Sequence, residues 1–205
     1  MTLDASIEEL AIELYKHKCI LVGEFTLTSG LKSPYYIDLR IAPSYPELFN
    51  KIIRVYNNLL AKLEADYIVG IALGGIPIAS VLAYINSKPL LYVRKEAKHH
   101  GTGRVVEGVV EKMGNTVIVD DVATTGSSLI SAVNAVRDLG LEVRYAVVLV
   151  DREQGAISKL KDVNVELKFA MKVSELFQIL YNYNVIDSET YDKIMRYVRG
   201  DLYER

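Results

Sequence analysis

The chain has 205 residues, of which 50% are hydrophobic, and a formal net charge of −2. A chain of this size and composition can bury a large core in a single domain, and its nearly balanced charge argues against a general nucleic-acid surface. No apolar run is long enough for a membrane span, and no signal-peptide pattern opens the chain, so we expect a cytoplasmic protein without a membrane partner. The single cysteine, Cys19, excludes an internal disulfide and a cysteine-based zinc cluster.

Helix signals come first along the chain. Ser6 with Glu9 forms a capping-box pattern that predicts one helix, and Ser44 with Glu47, around Pro46, predicts a second.

Apolar runs then predict buried strands at 67–72, 90–93, 116–120 and 143–150. Residues 165–171 alternate as a half-exposed strand would, and two helices are predicted after them. This alternation implies an α/β fold with a doubly wound parallel sheet that binds ligands at the carboxyl ends of its strands.

The most informative segment begins in the strand predicted at 116–120. Two acids follow the apolar run, small hydroxylated residues follow the acids, and helical spacing then continues until Gly140. Backbone N–H groups, hydroxyls and the positive end of a helix dipole would converge at such a turn, which suits a phosphate. Carboxylates would repel that phosphate unless they held another part of the ligand, such as a ribose diol. The predicted binding residues are Asp120, Asp121, Val122, Ala123, Thr124, Thr125, Gly126, Ser127 and Ser128.

An alternative is an ordinary connection with solvated acids and threonines that cap the helix. The segment lacks the lysine of a Walker A loop and the G-x-G-x-x-G spacing of a Rossmann turn. It therefore indicates a ligand with a phosphate on one side and vicinal hydroxyls on the other.

Three further features lie at predicted strand ends. Gly74 and Gly75 leave bare backbone that suits a second anion, or a tight turn that needs glycine for steric reasons alone. Residues 94–108 are basic, polar and rich in glycine, as in a mobile lid or a solvated loop. Arg152 follows the strand at 143–150, where a guanidinium can grip a planar carboxylate, although surface arginines are common.

Taken together, these segments resemble the type I phosphoribosyltransferases, and specifically the orotate phosphoribosyltransferase family. The turn is similar to the family's phosphoribosyl pyrophosphate (PRPP) signature, residues 23–36 to its N-terminal hood motif, and residues 94–101 to its catalytic loop. Arg152 falls where the family places its orotate-binding arginine. The similar segments occur in order from about residue 20 to residue 155.

The resemblance implies transfer of ribose 5-phosphate from PRPP to orotate, which gives orotidine 5′-monophosphate and diphosphate in pyrimidine biosynthesis. It implies catalytic roles for Lys98, His100, Asp120 and Asp121, and substrate contacts from Arg94, Lys95, Lys98, His100, Arg152, Lys32, Tyr35 and Tyr36. Phe25, Tyr35 and Tyr36 could close over the base or belong to the core.

The resemblance also implies Mg²⁺ between diphosphate and ribose oxygens, and a homodimer whose lid reaches the neighbouring site. A hood would form from about residues 1–40 with the C-terminal segment. A strained or cis peptide is expected at Leu73–Gly74. Many bacterial members carry lysines where this chain has Thr28 and Gly74, so two cations for the diphosphate are missing.

Two other functions share the phosphate turn. A purine or uracil phosphoribosyltransferase should lack the hood motif and Arg152. A regulator that senses PRPP normally needs a DNA-binding module, and the residues before Gly23 are too few for a winged helix.

Overall fold

The computed structural model describes residues 3–27, 30–94 and 105–201. The helices and strands, in chain order, are α1 (Leu3–Lys16), β1 (Ile20–Thr26), β2 (Lys32–Ile37), a 3-10 helix (Leu39–Ser44), α2 (Pro46–Leu60), β3 (Tyr67–Ile71), α3 (Gly75–Ile85), β4 (Leu90–Val93), β5 (Val106–Glu107), β6 (Asn115–Val119), β7 (Val122–Ala123), α4 (Ser127–Arg137), β8 (Glu142–Asp151), α5 (Ala156–Asp162), β9 (Glu166–Lys172), α6 (Val173–Asn182) and α7 (Ser188–Arg199). They divide into two compact units, Met1–Lys51 with Met171–Arg205, and Ile52–Ala170.

The first unit packs α1, α6 and α7 with an antiparallel β1–β2 hairpin. Its core is partly aromatic: Tyr35 lies 5.0 Å from Phe177 and 5.8 Å from Tyr197, measured between ring centroids. The unit joins the N-terminal and C-terminal segments that the family resemblance assigns to a hood, and its role as a hood stays a prediction.

The second unit contains a seven-stranded sheet in the order β5-β4-β3-β6-β8-β7, with β9 also paired to β8. Strands β3, β4, β6, β7 and β8 pair in parallel, and β5 runs antiparallel to β4. The mostly parallel sheet confirms the predicted fold class.

Helices cover both faces of this sheet. A Cβ atom added to Gly70 would lie 2.9 Å from the Cβ of Ala79, so Gly70 faces α3. Val69 and Ile71 point to the opposite face because side chains alternate along a strand, and they share a buried cluster with residues of α4 and α5. The sheet is therefore doubly wound.

The strands and helices that the sequence predicts lie within a few residues of their expected positions, with two corrections, whereas β1, β2, β5 and α5 were not predicted. Helix α1 begins at Leu3, so Ser6 lies inside it and does not cap it. Asp4, which is favoured in a first turn, and Ala5, a strong helix former, allow this earlier start. The acidic segment is also not all turn, because β7 resumes strand pairing at Val122–Ala123.

Candidate active site

The loops after β3, β6 and β8 begin at the same edge of the sheet. Val69 pairs in register with Ile118, and Ile118 with Ala146. Because the strands are parallel, their carboxyl ends meet at this edge. The glycine loop, the acidic segment and Arg152 all lie at those ends, as the sequence predicts.

Asp120 and Asp121 occupy a break between β6 and β7, and both of these strands pair with β8. The flanking pairs are Val119 with Val147 and Val122 with Val150. Equal spacing on both strands means that the acids continue alongside β8 without a register shift. The N–H of Asp120 donates to the carbonyl of Val147 over 3.1 Å, and the carbonyl of Asp121 accepts from the N–H of Leu149 over 3.0 Å.

The carboxylates turn back onto their own backbone. Asp120 Oδ1 accepts from the N–H of Asp121 over 3.0 Å, and Asp121 Oδ1 accepts from the N–H of Val122 over 2.9 Å. The Asp120 residue is 8% exposed. These bonds give each carboxylate a defined direction before a ligand arrives.

A buried tyrosine supports the same segment. Tyr56 on α2 is fully buried, and its hydroxyl donates to the carbonyl of Asp120 over 2.7 Å. Burial, followed by the charges of Asp121 and Asp120, holds the pKa of Tyr56 well above its usual value, so the phenol stays a donor. The sequence analysis did not single out Tyr56, which lies among apolar residues of its helix such as Ile52 and Leu60. A hydroxyl within an apolar stripe was the available signal.

The turn proper is short. It spans Thr124 to Gly126, and α4 begins at Ser127 with Gly126 as its N-cap. Gly126 has a φ of 80°, and a Cβ atom there would lie 3.1 Å from the Cα of Ala156, so both conformation and space favour glycine. The hydroxyls of Thr125 and Ser127 lie 3.0 Å apart. First-turn amides of a helix have no carbonyl one turn earlier, so this end of α4 can receive an anion.

The glycine loop lies directly against the acids. A Cβ atom at Gly74 would overlap the carboxylate of Asp121, and one at Gly75 would overlap the carbonyl oxygen of Val119. The cis peptide of this loop joins Ala72 and Leu73, one bond earlier than expected. The sequence identifies the loop but does not distinguish between neighbouring bonds within it.

Arg152 follows β8 and is 9% exposed. Its N–H donates to the carbonyl of Ala123 over 2.9 Å, which fixes its backbone beside β7. It is therefore not an ordinary surface arginine.

Arg94 lies where the basic loop begins. Its N–H donates to the carbonyl of Val105 over 3.0 Å, and its guanidinium lies 3.5 Å from a carboxylate oxygen of Glu107. Part of its charge is thus already offset by a neighbour. The predicted contacts Lys95, Lys98 and His100 lie outside the described residues.

The predicted site residues of the first unit differ in exposure. Lys32 is exposed and Tyr36 is half-buried, with its hydroxyl accepting from Arg40 over 3.3 Å. The Tyr35 ring is fully buried, so its packing favours the core alternative over a contact with a base. The Phe25 ring lies 5.7 Å from that of Tyr36.

The described residues contain no group of three or more histidine, cysteine or acidic side chains that could hold a metal alone. Mg²⁺ is commonly held by one or two carboxylates together with substrate phosphates, and Asp120 and Asp121 provide such oxygens. The acidic pair therefore fits a metal that arrives with its substrate. Among the described residues, no helix has the length and apolar character needed to cross a membrane.

Known proteins resemble this chain over nearly its whole length. Residues 44–177 match the family described as Phosphoribosyl transferase domain. An orotate phosphoribosyltransferase of Staphylothermus marinus is 48% identical over 98% of both chains. The chain belongs to the orotate phosphoribosyltransferase family.

Solved structures agree with this assignment. The UMP synthase of Leishmania donovani superimposes with a TM-score of 0.85 at 34% identity over 94% of this chain, which spans 42% of that longer protein. An orotate phosphoribosyltransferase of Mycobacterium tuberculosis in complex with PRPP gives a TM-score of 0.66 at 29% identity, over 83% of this chain and 98% of the other.

Proposed function

We propose that this protein is a pentosyltransferase that transfers ribose 5-phosphate from PRPP to orotate, yielding orotidine 5′-monophosphate and diphosphate in pyrimidine biosynthesis. The observation that carries the proposal is the acidic pair held in register beside β8 and followed at once by a hydroxyl-rich turn at the start of α4. The activity of the S. marinus relative and the PRPP complex of the M. tuberculosis relative support the choice of substrates.

The turn binds the phosphate of the ribose phosphate group, and the acids bind its ribose. Amides and hydroxyls of Ala123, Thr124, Thr125, Gly126, Ser127 and Ser128 bind the 5′-phosphate, beside the side chain of Val122. The carboxylates of Asp120 and Asp121 accept hydrogen bonds from the ribose hydroxyls.

In the reaction, a ring nitrogen of orotate gives up its proton to solvent and bonds to C1 while the bond from C1 to the diphosphate oxygen breaks, and the electron pair of that bond leaves with the diphosphate. Positive charge builds on the ribose ring, and the carboxylates of Asp120 and Asp121 offset it. Lys98, with Arg94 and Lys95, offsets the negative charge of the leaving group, and His100 can donate a proton to it. Asp120 and Asp121 would help to hold an Mg²⁺ ion that enters with PRPP, and such an ion would supply positive charge to offset the leaving group.

Orotate is recognised through its carboxylate and its ring. Arg152 pairs with the carboxylate in bidentate geometry. By family resemblance, Lys32 and Tyr36 of the hood motif add further contacts, whereas the buried Tyr35 ring belongs to the aromatic core. We further propose a cytoplasmic homodimer in which the 94–108 segment of one subunit serves the site of its partner. Family resemblance supports this assembly.

The test is direct. Purified protein, PRPP and Mg²⁺ are mixed with orotate, uracil, adenine or hypoxanthine in parallel, and consumption of the base is followed by absorbance. Turnover of orotate alone, with orotidine 5′-monophosphate identified by mass spectrometry, is expected. Turnover of another base would assign a different transferase activity. Binding of PRPP without any turnover would favour a regulator.

A further inference from the structure

Tyr56 connects α2 to the acidic segment across 64 residues of sequence. Its ring is fully buried in the second unit, and its hydroxyl donates to the carbonyl of Asp120 over 2.7 Å. A 3.5 Å contact to the carbonyl of Asp121 extends the hydroxyl's reach over both acids. No step of the proposed reaction uses this phenol.

The hydrogen bond from Tyr56 acts on the Asp120 carboxylate through one planar peptide group. The carbonyl of Asp120 and the N–H of Asp121 belong to the same planar peptide, so rotation of one rotates the other. Tyr56 holds the carbonyl end of that plane. The N–H end donates to Asp120 Oδ1 over 3.0 Å. The orientation of the plane thus sets the direction of the Asp120 carboxylate.

Strand β8 fixes the backbone on either side of this plane but not the plane itself. The N–H of Asp120 and the carbonyl of Asp121, which bond to Val147 and Leu149, belong to the preceding and following peptides. Tyr56 supplies the bond to the peptide between them.

We propose that Tyr56 is a positioning residue for catalysis, and that its hydroxyl sets the direction of the Asp120 carboxylate through the peptide between the two acids. The inference rests on the proposed function, since the acids act there on the ribose. Because the offset of ring charge matters most in the transition state, loss of the hydroxyl should lower kcat more than it raises the KM for PRPP.

The experiment compares two buried tyrosines. Tyr56→Phe keeps the ring and removes the donor. Tyr67→Phe is the matched control, because the Tyr67 hydroxyl also donates to a backbone carbonyl, that of Lys112 over 3.0 Å, but at the amino-terminal end of β3. It also accepts from the N–H groups of Glu111 and Lys112, so its removal should cost at least as much stability.

We expect Tyr56→Phe to lower kcat about tenfold, the scale of one hydrogen bond, with the KM for orotate unchanged. Tyr67→Phe should keep wild-type kinetics below its unfolding temperature. Replacement of Tyr56 by p-aminophenylalanine, which retains a donor at the same reach, should restore kcat.

Equal kcat for Tyr56→Phe and wild type would overturn the proposal, as would an equal loss in Tyr67→Phe. If Tyr56→Phe does not fold, the p-aminophenylalanine variant decides: wild-type kcat supports the proposal, and a folded variant with low kcat or a variant that does not fold contradicts it. Absence of orotate turnover in the wild type would instead count against the proposed function.

Discussion

At the scale of single residues, Arg152 carries the proposed choice of base. We expect Arg152→Ala to raise the KM for orotate by the equivalent of about 2 to 5 kcal/mol, the cost of losing one partner of a buried charge pair, and to leave PRPP binding nearly intact. Steady-state kinetics with each substrate varied in turn would measure this.

Arg137 provides the contrast for that experiment. Its guanidinium donates to the carbonyls of Val163 and Val143, each over 2.9 Å, so it is a structural arginine. Arg137→Ala should lower the melting temperature without changing the KM for orotate. If Arg152→Ala behaves in the same way, Arg152 is structural and the assignment of the orotate carboxylate is wrong.

Alanine substitutions at two adjacent glycines should differ in their effects on activity and on stability. Gly74→Ala should displace the Asp121 carboxylate, a side chain that can move, so activity should fall while stability changes little. Gly75→Ala meets the carbonyl of Val119, which is backbone and cannot yield, so it should destabilise the fold by about 1 to 3 kcal/mol. Urea denaturation and kcat/KM separate the two effects.

The Gly74→Ala substitution in an Asp121→Ala variant tests whether displacement of the Asp121 carboxylate causes the loss of activity. With the carboxylate already absent, Gly74→Ala should reduce kcat/KM no further. Additive losses would show that Gly74 acts on some other group.

Cys19 should make stability depend on pH in alkaline solution. Burial, with a smaller contribution from the charge of Asp38, raises the pKa of its thiol to about 11. The thiol therefore ionises at a lower pH in the unfolded chain than in the folded protein. Its contribution to the free energy of unfolding is complete below about pH 9 and is lost as pH rises toward 11. The loss should be roughly 2 to 3 kcal/mol.

Urea titrations at several pH values compare the wild type with Cys19→Ala, which lacks the thiol but keeps every other titrating group. The wild type should lose more stability between pH 9 and 11. Parallel profiles would mean that the folded thiol ionises normally.

At the scale of elements, the break between β6 and β7 contains the two acids proposed to act in catalysis. An asparagine at either acid position can still accept the backbone N–H bonds that orient the carboxylates, but it carries no charge. Asp120→Asn with Asp121→Asn should therefore keep the fold and lower kcat by about 100-fold or more, as when other electrostatic stabilisation is removed from an active site.

The matched control is the same aspartate-to-asparagine substitution at a residue that contacts the other end of β6. Asp66 Oδ2 accepts from the N–H of Asn115 over 2.9 Å, and Asp66→Asn should leave kcat unchanged. Near-normal turnover in the double variant would remove the acids from the catalytic step. Circular dichroism confirms that both proteins are folded.

At the scale of the whole molecule, the proposed homodimer can be tested by complementation. A lid variant, Lys98→Ala with His100→Ala, is mixed with the double asparagine variant, each being inactive alone. If the lid serves the partner's site, a mixed dimer contains one site with an intact lid and intact acids. About half of randomly exchanged dimers are mixed, so roughly a quarter of wild-type activity should return.

If the lid closes over its own subunit, every site in the mixture keeps one defect. No recovery of activity, with exchange verified by native mass spectrometry, would confine Lys98 and His100 to their own subunit.

The sequence by itself determined where the buried parallel strands β3, β4, β6 and β8 lie along the chain and which segment carries the acids. Buried parallel strands read as continuous apolar runs, so β4 was predicted at its exact bounds and β3, β6 and β8 within one residue at each end. Local chemistry also identified the hydroxyl-rich turn before α4. These features depend on neighbours in sequence, which a linear pattern contains.

Only the tertiary structure decided which side chains meet. It placed the Tyr35 ring in an aromatic core, brought Tyr56 onto the carbonyl of Asp120, and laid Gly74 against Asp121. The paired strand β7 was likewise missed, because its two residues form a strand only through their pairing with β8. Such contacts join residues far apart in the chain, and hydrophobic periodicity records that a side chain is buried but not what it touches.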